Sequence, residues 1–413
     1  MKRLSRPLKV KRVSKLNQKC SMMPVRRTLP DWIITTVEER KSANLYRQIE
    51  VLNAPQSVSP VIEGKAFLSF CSNDYLGLAS HPTIVKALAE GAERYGVGSG
   101  SAHLVCGHLS PHDELERALC DWLGVDRVML FSTGYMANLA VLSALGRHCD
   151  TVIQDKLNHA SLIDGAKLSE TLTRRYLHAD LQSAKKLIDK QSRPTLLVSD
   201  GIFSMDGDIA PLKGLLDLLS ESEHLFVVDD AHGLGCMGSN GLGSLSLSGL
   251  SASSVSALIG TFGKGFGTAG AFVACSHEMA EYLTQFARPY IYTTAMSPAM
   301  AYATKVSLEL IRSEEGERLR HRLVSNIELF KQRMHSLDLV LMPSSSAIQP
   351  VMIGSSARAI ELSALLRNEG ILCTAIRPPT VPNNQARLRI TLSAAHSHND
   401  IHRLCDTLER FVN

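Results

Sequence analysis

Short runs of β-branched residues alternate with helix-patterned segments along most of this 413-residue chain. From Leu76 onward, the alternation is typical of a parallel sheet that is covered by helices on both faces. It predicts an α/β fold whose large domain is built on a mostly parallel sheet. The predicted strands are residues 128–131, 151–154, 195–199, 225–229, 257–261 and 271–274.

One helix is predicted to start at Ser110, which suits the N-cap position. Pro111 fits the first turn, Asp113 completes a capping box, and Gly124 ends the helix.

The pattern changes after residue 297. Long charged helices are predicted at 299–311 and about 317–337, followed by strands at 347–353, 371–376 and 387–392 and helices at 357–369 and after Ser397. Fewer, longer elements in mixed order predict a smaller α+β domain. We therefore expect a basic extension at 1–30, an N-terminal segment at 31–71, a large cofactor-binding domain at 72–297 and a C-terminal domain at 298–413.

Basic residues are concentrated at the N-terminus. Residues 1–30 contain ten Lys or Arg and no acidic residue, whereas the whole chain has 44 basic and 40 acidic residues. The remainder is mildly acidic, which predicts no nucleic-acid partner. The N-terminal stretch lacks the apolar run of a secretory signal. A plain extension, an organellar transit peptide and an anion-binding arm remain open for it.

Nine cysteines without a C-x-x-C pair predict free thiols in a reducing compartment and no zinc site. No apolar run reaches the roughly 18 residues that a membrane helix needs. We expect a cytoplasmic protein without a membrane partner, and organellar targeting by residues 1–30 remains an alternative.

Lys264 stands in the segment TFGKGFG, residues 261–267, directly after a predicted strand. Glycines on both sides leave its side chain little cover and let a ligand approach the backbone. A solvated loop lysine is the alternative. A P-loop is excluded because the G-x-x-x-x-G-K-[ST] spacing is absent.

Asp229 and His232 follow another predicted strand, in the segment VVDDAH, residues 227–232. A carboxylate at a buried strand end is unfavourable unless it pairs with a cation, and ligands bind at this edge of open α/β sheets. Taken alone, the motif is equally typical of a metal site or a helix cap. No H-E-x-x-H sequence is present to supply further metal ligands, so no metal is predicted.

Three more polar motifs follow predicted strands: STGYMAN at 132–138, NHAS at 158–161 and GIFSMDGD at 201–208. The first begins a helix, whose N–H groups and dipole suit a phosphate. An ordinary turn or cap explains each motif in isolation. Together, five motifs at five strand ends predict one anionic, aromatic ligand with a lysine to bond it. Pyridoxal 5'-phosphate meets these demands, since it needs a lysine, an acid and a phosphate cradle.

These motifs, together with NDYLGL at 73–78, AIRPPTVP at 375–382 and ARLR at 386–389, resemble the α-oxoamine synthases over about residues 35–410. The resemblance implies a fold-type I pyridoxal-phosphate acyltransferase that condenses an amino acid with an acyl thioester and releases CO2. It also implies a homodimer with the site at the interface. The C-terminal segment is most similar to the biotin-biosynthesis branch, which condenses L-alanine with pimeloyl-coenzyme A or a pimeloyl carrier protein.

The resemblance also implies cofactor contacts. Lys264 is implied to form the internal aldimine and to act as the catalytic base, Asp229 to pair with the ring nitrogen, and His159 to stack on the ring. The other implied contacts are Ser204 and His232 at the polar edge of the ring, and Gly134, Tyr135 and Thr261 at the phosphate.

Substrate contacts are implied in the same way. Arg389 is implied to anchor the amino-acid carboxylate, and its planar fork suits bidentate binding. Thr380 and Arg47 are implied to contact the acyl substrate, and His159 to contact substrate and to act in catalysis with Lys264 and Asp229. Thr293 and Thr294 are implied to reach a neighbouring subunit's cofactor.

Three alternatives remain open at this point. They are a glycine-using α-oxoamine synthase such as glycine C-acetyltransferase, an aminotransferase of the same fold class, and a non-enzymatic scaffold. The chain departs from the family pattern at Leu242, where family members usually have Arg, and we expect the effect on local loop packing.

Overall fold

The computed structural model describes residues 29–43, 45–219, 223–337 and 339–412. Most of the predicted basic extension therefore lies outside the described residues. The chain divides into two compact units, Met1–Val51 and Leu52–Asn413. The first unit contains helix α1 (Asp31–Ser42), which has no buried residue.

The second unit contains all the strands of the described residues. In chain order these are β1 (Val61–Ile62), β2 (Lys65–Ala66), β3 (Leu68–Ser69), β4 (Arg127–Phe131), β5 (Thr151–Asp155), β6 (Leu172–Tyr176), β7 (Thr195–Asp200), β8 (Leu225–Asp229), β9 (Ala257–Thr261), β10 (Ala271–Cys275), β11 (Val340–Leu341), β12 (Ile348–Gly354), β13 (Ile371–Leu372), β14 (Thr374–Ile376) and β15 (Ala386–Thr391). Its helices are α2 (Pro82–Tyr95), α3 (Ser110–Leu123), α4 (Gly134–Gly146), α5 (Ala160–Leu168), α6 (Leu181–Ile188), α7 (Leu212–Asp217), α8 (Gly243–Leu247), α9 (His277–Phe286), α10 (Arg288–Ile291), α11 (Pro298–Arg312), α12 (Glu314–His335), α13 (Ser356–Asn368) and α14 (His398–Val412).

Seven strands form the central sheet, in the order β4-β10-β9-β8-β7-β5-β6. Strands β9, β8, β7, β5 and β6 run parallel, and β10 is antiparallel to both of its neighbours. The mostly parallel α/β sheet is confirmed, and all six predicted strands lie within one residue of their predicted bounds. Strand β6 was not among them, because this edge strand exposes Arg174 and Arg175 and lacks a continuous apolar run.

Apolar residues cover both faces of this sheet. The core consists of two apolar clusters, and neighbouring residues of one strand belong to different clusters. In β7, Leu197 belongs to one and Leu196 to the other. In β8, Val228 belongs to the cluster of Leu197 and Val227 to that of Leu196. Successive side chains of a strand point to opposite faces, so a strand buried on both faces needs the continuous apolar run that these segments have. The polar residues at the strand ends are thus left at one edge of a buried sheet.

A second, antiparallel sheet has the order β11-β12-β15-β14. The prediction of a single strand at 371–376 is wrong, because this segment forms two short strands that pair with different partners. Strand β13 pairs in parallel with β3, whereas β14 pairs with β15. The β3–β13 pairing joins the predicted N-terminal segment to the C-terminal part of the chain. The four-part domain division remains a prediction.

The ends of helix α3 and the loop at Leu242 can be compared with the predictions. Leu109, not Ser110, occupies the N-cap of α3, and His112, not Asp113, completes the capping box. The reason is that the extended backbone of Leu109 places its N–H 2.9 Å from Nδ1 of His112, which accepts this hydrogen bond. Gly124 ends the helix in the left-handed conformation, as predicted. Leu242 packs against the apolar core, and the surrounding loop is closed by the N–H of Gly235, which donates to the carbonyl oxygen of Gly241 at 2.7 Å.

None of the helices in the described parts of the chain has the length and hydropathy that crossing a bilayer requires.

Candidate active site

Lys264 lies in the loop between β9 and β10. Phe262 and Phe266 on either side are buried and anchor this loop. At Gly265 a Cβ atom would lie 2.7 Å from the carbonyl oxygen of Leu234, so the close approach requires glycine. The loop holds the Lys264 side chain half-buried, with Nζ 2.9 Å from Nε2 of His232. This lysine is therefore not a solvated loop residue.

The surroundings of Lys264 change its protonation. Burial lowers its pKa, and the nearby acidic residues Asp229 and, to a smaller extent, Asp200 oppose part of that effect. The positive charge of Arg389 adds to the lowering. A lower pKa raises the fraction of neutral amine near neutral pH, and the neutral amine is the form that acts as nucleophile or base.

Asp229 ends β8 beside Asp200, which ends β7, and the two residues are paired in the ladder between these strands. Both are buried. Nδ2 of Asn138 donates to Oδ2 of Asp229 at 2.6 Å, and the N–H of Ala231 donates to Oδ1 at 3.0 Å. Burial and the adjacent charge of Asp229 raise the pKa of Asp200 well above its usual value, which favours its neutral form.

His232 is buried and hydrogen-bonded at both ring nitrogens. Nε2 faces Lys264, and Nδ1 lies 2.5 Å from the hydroxyl of Tyr75. Burial, followed by the positive charges of Lys264 and Arg389, lowers the pKa of His232 well below its usual value. The ring is therefore neutral and has one N–H and one acceptor nitrogen.

His159 is held at the start of α5 by two neighbouring residues. Its backbone N–H donates to Oδ2 of Asp200 at 2.7 Å, and its ring atom Nδ1 lies 2.6 Å from Oγ of Ser161. Oγ of Ser161 also accepts from Nδ2 of Asn138 at 2.8 Å, so one amide orients both Ser161 and Asp229. Burial lowers the pKa of His159, which favours a neutral ring.

The N-terminus of α4 adjoins Lys264's loop. Oγ1 of Thr133 caps the helix by accepting the N–H of Met136 at 3.2 Å. A Cβ atom at Gly134 would lie 3.7 Å from Cβ of Thr261, which is an ordinary contact and shows that the two residues are close neighbours. The first N–H groups of a helix have no partner within it and lie at the positive end of its dipole. Tyr135 is exposed, and its hydroxyl donates to the carboxylate of Asp164.

Arg389 lies on β15 and is buried. Its Nε donates to the carbonyl oxygen of Ser204 at 2.7 Å, Nη1 to Oγ1 of Thr391 at 2.9 Å, and Nη2 to Oδ1 of Asn73 at 3.2 Å. Two residues earlier, Arg387 forms a buried ion pair with Asp206. Two arginines of one strand thus hold the loop that contains Ser204.

Eight of the predicted site residues line a single cavity of about 210 Å³. They are Gly134, Tyr135, His159, Ser204, Asp229, His232, Thr261 and Lys264. The cavity is also lined by residues that were not predicted, which are Asn138, Ser161, Asp200 and Ala231. The strand-end argument used for Asp229 applies equally to Asp200, which was missed because its strand was predicted to end at residue 199.

Other predicted residues lie elsewhere. Arg389 is not part of the cavity lining but is bonded to Ser204. Thr380 is exposed in a turn where its N–H donates to the carbonyl oxygen of Arg377 at 3.1 Å. Thr293 and Thr294 line a separate small cavity, and Arg47 is an exposed residue of the N-terminal unit. The roles of these residues remain predictions.

The Asp-Asp-x-His motif has a structural use that involves no metal ion. Oδ2 of Asp230 accepts the N–H of Ser244 at 2.7 Å and so fixes the following loop. Within the described ranges, no group of three or more His, Cys, Asp or Glu side chains is placed to hold a metal ion.

Comparison with known proteins gives concordant matches. The family model for aminotransferases of class I and II matches residues 65–408. The 8-amino-7-oxononanoate synthase of Marinomonas sp. (strain MWYL1) is 58% identical over 93% of this chain and 95% of its own length. The enzyme of the same name from Pseudomonas syringae pv. syringae is 51% identical over 91% of this chain and 94% of its own.

Two solved structures extend this similarity. A variant of serine palmitoyltransferase from S. paucimobilis with a bound PLP-myriocin aldimine is 28% identical, with a TM-score of 0.86, and the match covers 92% of this chain and 96% of that chain. The 8-amino-7-oxononanoate synthase of Francisella tularensis is 32% identical, with a TM-score of 0.73, and covers 83% and 97%.

Proposed function

The chain belongs to the class I and II aminotransferase family and, within it, to the 8-amino-7-oxononanoate synthases, and from this membership we propose that it condenses L-alanine with a pimeloyl thioester. The products are 8-amino-7-oxononanoate, CO2 and the free thiol carrier, in a step of biotin biosynthesis. Pyridoxal 5'-phosphate is the cofactor. One observation carries the proposal: a half-buried lysine amine, a buried carboxylate and a helix N-terminus share one cavity.

The residues present fit this cofactor. Lys264 offers an amine of lowered pKa for the aldehyde. Asp229, held on both oxygens by Asn138 and Ala231, offers a carboxylate for the pyridine nitrogen. We propose that the N-terminus of α4 holds the phosphate, an assignment supported by the place of Gly134 in the cavity lining and by the dipole of α4.

We propose further that Thr261 and Tyr135 bind at the phosphate, that His159 covers the ring, and that His232 and Ser204 contact its polar edge. The observation in support is that all five residues line the cavity with Lys264.

Bound pyridoxal phosphate supplies an electron sink for negative charge that develops at Cα of the amino acid. Lys264 is the group of the chain that is placed to move the Cα proton. Its lowered pKa suits general-base catalysis near neutral pH, and Nε2 of His232 lies 2.9 Å from its amine.

We propose that Arg389 binds the carboxylate of L-alanine. A guanidinium has five N–H donors, and the contacts found in the described residues use one on Nε, one on Nη1 and one on Nη2. Each terminal nitrogen of a guanidinium carries two N–H groups in one plane, and this fork suits a bidentate carboxylate. We propose Thr380 and Arg47 as contacts of the acyl substrate on the strength of their motif positions.

A homodimer is the proposed assembly, with Thr293 and Thr294 near the partner's cofactor. The large apolar side chains of Val97, Val105 and Tyr292 are highly exposed. Exposed apolar surface of this kind is typical of a protein interface. Light scattering during size-exclusion chromatography tests this assembly, and a monomer at micromolar concentration would contradict it.

A cytoplasmic location remains part of the proposal. Its support is that the eight cysteines within the described residues are all free thiols, which is typical of a reducing compartment.

The proposed reaction is tested with purified protein, L-alanine and either pimeloyl-coenzyme A or a pimeloyl carrier protein. Mass spectrometry is expected to find 8-amino-7-oxononanoate, and the carrier that gives the faster rate identifies the natural donor. Glycine in place of alanine is the matched control for the glycine-using alternative. Preference for glycine, or amino transfer to a 2-oxo acid without thioester consumption, would contradict the proposal.

A further inference from the structure

Five side chains form one continuous hydrogen-bonded row between Lys264 and Arg389. His232 lies 2.9 Å from Lys264 through Nε2 and 2.5 Å from the hydroxyl of Tyr75 through Nδ1. That hydroxyl donates to Oδ1 of Asn73 at 3.3 Å, and the same oxygen accepts from Nη2 of Arg389 at 3.2 Å. The row therefore links Lys264 to Arg389 through residues that lie far apart in the sequence.

The permanent charge of Arg389 sets the direction of these bonds. A guanidinium only donates, so the atom of Asn73 that faces it is the carbonyl oxygen. The Tyr75 hydroxyl faces the same oxygen and must donate to it. The lone pairs of the hydroxyl are then left for the ring of His232.

His232 is consequently the donor at Nδ1. The ring is neutral and has one N–H, and with that hydrogen on Nδ1 the lone pair of Nε2 faces the amine of Lys264. With the opposite tautomer, Nε2 would carry an N–H and could not accept a hydrogen bond from the Lys264 amine. That tautomer would also turn the Tyr75 hydroxyl away from Asn73.

Because the row is buried, the donor and acceptor roles along it strongly affect its free energy. Tyr75 is 1% exposed, and His232 and Arg389 are each 8% exposed. In such a site water does not readily replace a lost partner, and an unpaired polar group is costly.

We propose that Tyr75 is a positioning residue that holds His232 in the Nδ1–H tautomer and thereby keeps a hydrogen-bond acceptor on the amine of Lys264. The polarity of the row originates at Arg389. That this row also connects the amino-acid carboxylate to the lysine rests on the proposed function; the tautomer itself does not.

Histidine-selective 15N NMR of the full-length protein, before and after loading with pyridoxal phosphate, tests the inference. Comparison with His232→Gln assigns the ring signals. The unloaded wild type is expected to show a protonated Nδ1 and an unprotonated Nε2. In Tyr75→Phe, which keeps the ring but removes the hydroxyl, the tautomer ratio is expected to fall by about tenfold, the usual size of one buried hydrogen bond.

Tyr176→Phe is the matched control, because Tyr176 is also 1% exposed but is not part of the row. It is expected to leave the His232 signals unchanged. An unchanged Nδ1–H tautomer in Tyr75→Phe, or an Nε2–H tautomer in the wild type, would overturn the proposal.

A second pair of variants keeps the test decisive if Tyr75→Phe fails to fold. Asn73→Asp retains an acceptor for both Tyr75 and Arg389, so the Nδ1–H tautomer is expected to persist. Asn73→Leu removes that acceptor, and the tautomer is expected to be lost. Equal tautomers in the two variants would contradict the row's polarity. Because NMR needs no turnover, an inactive protein with the expected tautomer would count against the proposed reaction and not against this inference.

Discussion

We predict that His178 makes the free energy of unfolding fall as the pH rises. The size of this effect can be worked out from the contacts of its ring. Its Nδ1 lies 3.0 Å from Oδ1 of Asp155, and its Nε2 lies 2.9 Å from Oδ2 of Asp208. Its ring also packs edge-on against Phe203 at 4.4 Å between centroids. The charged ring therefore bridges the end of β5 and the loop that contains Ser204.

The magnitude follows from the pKa. Burial alone would lower the pKa of His178, but its hydrogen bonds to the two carboxylates outweigh burial and raise the pKa to about 10, from an ordinary value of 6.5. At about 1.4 kcal/mol per unit, this shift corresponds to roughly 5 kcal/mol. The side chain is 27% exposed, and solvent screening reduces the expected contribution to about 2–3 kcal/mol.

The sign is set by linkage. Because the folded-state pKa is raised, the stabilisation is fully present below about pH 6.5 and is lost as the pH rises toward 10. Urea unfolding of the wild type and His178→Gln at pH 6, 7.5, 9 and 10 measures the difference in unfolding free energy. We expect this difference to be largest at pH 6 and to shrink steadily over that range.

Gln retains a hydrogen-bonding amide but not the titrating charge, so a loss of packing alone gives a difference that is independent of pH. His335→Gln, at the exposed end of α12, is the matched control and is expected to change stability little at any pH. A constant or increasing difference between wild type and His178→Gln from pH 6.5 to 10 would refute the reasoning.

Three further substitutions test the site and its support. Asp229→Asn should still bind pyridoxal phosphate but lose at least about 100-fold in turnover, because an amide does not stabilise a protonated pyridine nitrogen. Cofactor absorbance measures the binding and product formation measures the turnover. Wild-type turnover in this variant would contradict the pairing of Asp229 with the nitrogen. Arg389→Lys should raise the KM for L-alanine about tenfold, since an ammonium replaces a planar fork; an unchanged KM in steady-state assays would remove Arg389 from the carboxylate site. Arg387→Met should lower the free energy of unfolding by about 3–5 kcal/mol, because it leaves Asp206 buried without its cation. Adding Asp206→Leu should recover most of that loss in urea unfolding, and failure to do so would show that the ion pair is not the cause.

The central sheet could be predicted closely because its strands are buried on both faces. Burial imposes continuous apolar runs such as LFVV at 225–228, and these are visible without a structure. Strand β6 has one buried residue, Tyr176, and otherwise presents partly or fully exposed side chains, so no such run marks it. The split between β13 and β14 depends on the partners β3 and β15, which lie far away along the chain.

The site residues differ in the same way: some are marked by a local sequence pattern, and others depend on contacts between distant segments. Residues directly at strand ends, such as Asp229, could be predicted because each element ends at one edge of the sheet. The contacts of Tyr75 with His232, or of His178 with both Asp155 and Asp208, join segments that no local pattern relates. Asn138 lies one turn into a helix whose start was predicted, yet its amide contact with Asp229 depends on the packing of α4 against the sheet.

The most direct test of the account is the identity of the lysine that bonds the cofactor. The protein loaded with pyridoxal phosphate is reduced with borohydride, digested and mapped by mass spectrometry, with Lys264→Ala treated in parallel. The account predicts a pyridoxyl group on Lys264 in the wild type and no stoichiometric label in the variant. Stoichiometric label on any other lysine, or none in the wild type, would contradict it.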